Sequence, residues 1–310
     1  SKVSNSAFRN CAIRLLALGE NLITIDEFAF ENNYITSLTI PGKVSSINSS
    51  AFAGNLISKL TLNSDSLRTI GASAFRDSLI RDLVIPNSVT TIGESAFTDS
   101  RIEKLVIGEG LTRIEAHTFS GNNLTNVVVP ENVKYVGDYS FKDNPMNTLD
   151  LHDNIDYIGY GAFQNTNITY VNLPVDISGV MYGDEGHVAA FAGAPVRKVR
   201  FHGLNKLNAL TMFTSNPTEI IIAGNTVKEI PSYYFQRAGL TSVELESGVE
   251  SIANYAFENN KISELLLPSS MTSIGTFAFA NNEITSLIIP NKLEIGDNAF
   301  ENNKIENLEI

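Results

Sequence analysis

Tryptophan is absent from the 310 residues, cysteine occurs once, and basic side chains are scarce. With Cys11 alone no intrachain disulfide can form, so the core must carry the stability in either an oxidising or a reducing compartment. Only 22 Lys and Arg face 34 Asp and Glu, a formal net charge of -12. That balance argues against nucleic acid and anionic membrane surfaces as partners, because phosphate neutralisation needs clustered cations. No apolar run approaches the roughly 18 residues of a membrane span, and no charged-then-apolar leader precedes the first Phe. Reaction signatures are missing as well: there is no GxSxG elbow, HExxH, CxxC, P-loop or dinucleotide fingerprint.

What the chain has is a period. Phe8, Phe30, Phe52, Phe75, Phe97, Phe119, Phe141, Phe163, Phe191, Phe213, Phe235, Phe257, Phe279 and Phe300 recur at a spacing of 22 in nearly every case. The departures are one extra residue in "LNSDSL", one fewer in "PNKLEIG", and a gap of 28 between Phe163 and Phe191. The sequence therefore reads as about fourteen copies of one unit in a single domain over residues 1–310, interrupted by an insertion at about 175–190.

In almost every unit an aliphatic residue follows the Phe by five, and two more follow by eight and ten, as in Leu38 and Ile40 or Leu105 and Ile107. The last pair is period-two, which predicts a strand with one buried face. Pro41, Pro86, Pro130, Pro268 and Pro290 then end the strand for want of a ladder donor. Val44 with Ile47, or Val89 with Ile92, return an apolar edge inward, and Gly71, Gly93, Gly137, Gly159 and Gly275 suit a bend with positive φ. One unit cannot bury these side chains alone, whereas stacked units complete each other's core.

Three residues past the Phe stands Asn: Asn33, Asn55, Asn122, Asn144, Asn216, Asn260, Asn282 and Asn303, with Cys11 in the same place. An amide at a fixed corner is expected to bond the backbone of its own and the next coil. Cys11 then reads as a small buried filler.

The unit IxxLxIPxxVxxIGxxAFxxN, ending in Asn or Cys, resembles the BspA-like class of leucine-rich repeats over nearly the whole chain. The resemblance implies a leucine-rich-repeat solenoid: a curved right-handed stack with a parallel concave β-sheet. It also implies a bacterial extracellular or cell-surface location, adhesion to a host-matrix protein, glycan or other cell, and no shared catalytic residues. The chain starts within a coil and stops on the strand "LEI" at Ile310, so it is expected to be part of a longer protein whose signal and anchor lie outside it.

Fourteen copies allow the array to be compared with itself. The outward residue between the two buried strand positions is Ala17, Thr39, Thr61, Val84, Val106 and Val128, and then Asp150, Asn172 and Arg200. Tyr170 and Lys198 precede the latter strands' core residues, while His152 and His202 follow them where other copies often have Pro. These seven residues, Asp150, His152, Tyr170, Asn172, Lys198, Arg200 and His202, form the candidate ligand-binding patch, with drift of an imperfect repeat as the alternative. The loop carrying Asp184, Glu185 and His187 lacks a second His or Cys pair and is a poor zinc site. The "ENN" runs at Glu31, Glu258 and Glu301 read as a solvated corner, not a calcium site. No catalytic residue, metal or cofactor is assigned. The expected function is non-enzymatic recognition of a protein or glycan; the alternatives are a spacer presenting another domain and a hydrolase using the central loop.

Overall fold

Parallel pairing at the repeat offset organises the chain: Thr24 lies opposite Ser46, Ser46 opposite Thr69, and Thr69 opposite Thr91. The computed structural model describes residues 1–174, 179–180, 188–204 and 209–310. Asp184, Glu185 and His187 lie outside these described residues. Two compact units result, one of Ser1–Ile168 with Gly179–Ala194 and one of Thr169–Ser178 with Pro195–Ile310.

Most coils contribute to two ladders. The longer strands arise from the LxI pattern. In the first unit Ser37–Ile40 pairs with Lys59–Leu62, Asp82–Val84 with Lys104–Val106, and Asn126–Val128 with Thr148–Asp150. In the second, Tyr170–Leu173, Lys198–Phe201, Glu219–Ile222 and Ser242–Leu245 follow one another, and Ser286–Ile288 pairs with Asn307–Glu309. The long gap between Phe163 and Phe191 leaves register intact, since Tyr170 still meets Lys198. Residues 15–18 and 265–267 carry the pattern without forming a strand. The segment expected only to return an apolar edge forms a second parallel ladder of two-residue strands such as Ser46–Ile47 and Ser251–Ile252. A β-branched Ile or Val after Ser, Thr or Tyr favours that extended backbone.

Between the ladders the Phe side chains stack. From Phe8 to Phe191 in the first unit, neighbouring rings lie 5.1 to 5.9 Å apart and within 18° of parallel. In the second, Phe235, Phe257, Phe279 and Phe300 repeat the arrangement at 5.0 to 5.5 Å. Offset-stacked pairs of this kind add about 0.5 to 1.5 kcal/mol beyond their area burial.

The bends differ from the expectation for glycine. None of Gly71, Gly93, Gly137, Gly159 and Gly275 has positive φ. A Cβ on Gly93 would instead lie 2.4 Å from the backbone nitrogen of Ala72, so close approach of coils selects glycine there. The left-handed residues sit two before and two after the Phe, as in Ser95 and Asp99 around Phe97 or Tyr255 and Asn259 around Phe257. The position after the Phe is mostly Asn, Asp or Gly, the types that tolerate this conformation.

The amide corner is also more specific than expected. Asn122 Nδ2 donates to the carbonyls of Phe119 in its own coil and Phe97 in the preceding one, and its Oδ1 accepts from Ile102 N–H. Asn33, Asn144, Asn260, Asn282 and Asn303 repeat the set, always toward the preceding coil rather than the next. Asn216 departs: it is exposed and donates forward to Ala238, because its coil is remade by the 3-10 turn Ala209–Met212. Cys11 is exposed rather than buried. Its N–H still donates to Asn33 Oδ1 at 3.2 Å.

Candidate binding surface

The LxI pattern sends alternate residues of the longer strands outward, so one row of side chains crosses each ladder. In the first unit that row includes Val84, Val106 and Val128, which are 61%, 58% and 79% exposed. Val84 pairs with Val106, and Val128 with Asp150. Beside the stripe, Lys104 Nζ stands 3.9 Å from Asp82. Of the candidate residues, this unit contains Asp150 and His152. Asp150 is exposed. His152 is drawn back onto the edge of the preceding coil: Nε2 lies 2.8 Å from the Pro130 carbonyl, and only 10% of the side chain is accessible. A ring so placed braces the turn and offers little surface to a ligand.

The second unit gathers the other five. Tyr170 is opposite Lys198, and Asn172 opposite Arg200. Glu219 and Ile221 come next in the same rows, then Ser242 and Glu244. Arg200 reaches across the intervening strand to Glu246, Nη1 to Oε1 at 2.7 Å and Nη2 to Oε2 at 2.9 Å. Such a bidentate fork combines charge assistance with fixed geometry. Arg200 Nε also donates to His202 Nε2 at 3.1 Å, which requires the histidine proton on Nδ1. Lys198 Nζ stands 4.0 Å from Glu244, a second and looser link across the same strand.

Beneath these links Ile221 is only 8% exposed although it faces outward, whereas the valines of the other unit in that role are open. The ion pairs arch over it. Tyr170, 40% exposed, stands at the margin of the arch. Glu246 and Ile221 were not singled out from sequence. Glu246 was findable, because it occupies the column where Pro41, Pro86 and Pro130 stand and where His152 and His202 also break the rule.

Among the described residues no group of three or more His, Cys, Asp or Glu side chains is placed to hold a metal ion. Among the described residues no helix is long and apolar enough to cross a membrane.

Comparison with known proteins bears on the fold. The profile for the BspA type leucine rich repeat region matches six times, over residues 1–124, 68–183 and 208–310. A leucine-rich repeat protein from Bacteroides ovatus is 23% identical, with 97% of this chain and 79% of that one covered and a TM-score of 0.57. A leucine rich cell surface protein from Faecalibacterium prausnitzii is 21% identical over 99% of this chain and 87% of that one, with a TM-score of 0.41. Comparison with curated proteins gives no match.

Proposed function

Because the chain belongs to the BspA-type leucine-rich repeat family, we propose that it is a non-enzymatic recognition module acting outside the cell or on its surface, through the outward face of its longer strands. Repeat solenoids present wide continuous surfaces, and a wide surface suits a protein or glycan better than a small molecule. The observation that carries the reading is the Arg200–Glu246 arch with Tyr170 beside it. It lies where the array breaks its own rule, and it assembles the Arg and Tyr side chains that most often anchor interfaces. Asn172, Lys198 and His202 belong to this surface, and Asp150 with the valine stripe belongs to the outward face of the other unit's strands.

The test is a screen of the folded chain against extracellular-matrix proteins and glycans, then titration of the ligand found. Arg200→Ala or Tyr170→Ala is expected to weaken binding by about 2 kcal/mol, roughly thirtyfold, while Glu258→Ala on the opposite corner leaves it unchanged. Equal losses from all three would move the ligand elsewhere. A spacer role is the second reading, and the internal bonds of Arg200 favour it, since that guanidinium is already engaged within the fold. A screen with no ligand, alongside loss of stability in Arg200→Ala, is its expected signature.

A further inference from the structure

On the second ladder of the Thr169–Ser178 and Pro195–Ile310 unit, Glu229, Ser251, Ser273 and Glu294 stand in register on four successive strands. They form one wall of a groove, and Ala253 and Gly275 line its other side. No Lys or Arg lines it. Among the described residues neither carboxylate has an ion-pair or hydrogen-bond partner, and neither serine hydroxyl is bonded. By contrast Glu244, Glu246, Glu250 and Glu283 in the same unit all have cations beside them. The hydroxyls between the carboxylates can bond the amides of a main chain laid over them.

From these features we propose that the groove is a docking site for an extended basic peptide whose cationic side chains are four residues apart. Glu229 and Glu294 are separated by three strand spacings of about 4.8 Å, or about 14 Å. An extended peptide rises about 3.3 Å per residue, so side chains four apart fall on one face at about 13 Å. A chain running along the groove with Lys or Arg at both places meets both carboxylates at once, with its intervening backbone over Ser251 and Ser273. Lysines two residues apart span half that distance and reach only one.

The probes are fluorescent Lys-Ala-Ser-Ala-Lys, its isomer with lysines two apart, and the Gln-Ala-Ser-Ala-Gln analogue, titrated by anisotropy against the whole chain at low and at 0.3 M salt. The first peptide is expected to bind at least fivefold more tightly than the other two, and raised salt to weaken it, since both carboxylates are exposed. Glu229→Gln and Glu294→Gln should each abolish the preference for spacing, whereas Arg200→Ala on the other ladder should not. Replacing both glutamates by lysine should transfer preference to Asp-Ala-Ser-Ala-Asp, which guards against a variant that merely misfolds. Equal binding of the neutral peptide, tighter binding of a neutral oligosaccharide, or indifference to both Gln substitutions would overturn the proposal.

Discussion

A single column of the repeat decides how coils are fastened. Asn122 satisfies three backbone groups of two coils, and Asn122→Ala is expected to cost about 3 kcal/mol by leaving buried groups at Ile102, Phe97 and Phe119 unbonded. The same column holds Ser78, whose buried hydroxyl has no partner in the described contacts. A serine is too short to serve as Asn does, and Ile57 N–H, placed as Ile102 is in its coil, has no acceptor there. Ser78→Asn should therefore stabilise the chain by about 1 kcal/mol, raising the denaturation midpoint, and an unchanged or lowered midpoint would count against the column's role. Two residues past the Phe a different constraint rules. The Asp99 carboxyl is held above its ordinary value, chiefly by burial and then by the Asp77 carboxylate. The folded state then keeps this proton longer than the unfolded one, so stability is greatest below the unfolded value and falls as pH rises through the folded one. Asp99→Asn, whose amide tolerates the same left-handed backbone, is expected to gain about 0.3 kcal/mol at pH 7 after solvent screening. The gain should vanish near pH 3 in parallel urea titrations.

At the scale of the strand and the bend, legibility followed periodicity. The longer strands were readable because Leu38 and Ile40 alternate with exposed residues, and the buried Phe column because each ring needs a copy of itself on either side. The second ladder was not readable as strand, because two residues such as Ser46–Ile47 are too few to show alternation. Glycine misled for a related reason: φ and coil-to-coil clearance both select it, and only the structure separates Gly93, which avoids Ala72, from Gly121, which has positive φ. The candidate surface was half legible. The residues that break the repeat were visible, but not that Arg200 spans a strand to Glu246 and shields Ile221. Contacts between residues two coils apart leave no periodic trace. His152 and His202 occupy the same column, yet one turns to the Pro130 carbonyl and the other accepts from Arg200. The neighbouring coil, not the column, determines the direction.

For the molecule as a whole, a repeat array is stabilised by nearest-neighbour contacts, so its unfolding need not be a single event. The two compact units each have their own Phe column, nine rings from Phe8 to Phe191 in one and four from Phe235 to Phe300 in the other. Near the start of the second unit's run of coils, Ala209–Met212 replaces regular geometry with a 3-10 turn and Asn216 abandons the amide column. We expect denaturant to reveal two transitions. Phe97 and Phe257 are both fully buried, so truncating either to Ala should cost about 3 to 5 kcal/mol through the cavity left between coils. Phe97→Ala should lower one transition and Phe257→Ala the other, with amide exchange showing the loss of protection confined to the unit that carries the substitution. If instead both variants shift one common midpoint by similar amounts, with protection lost throughout, the coupling along the stack is strong enough to make the chain a single cooperative body, and the two units are divisions of geometry alone.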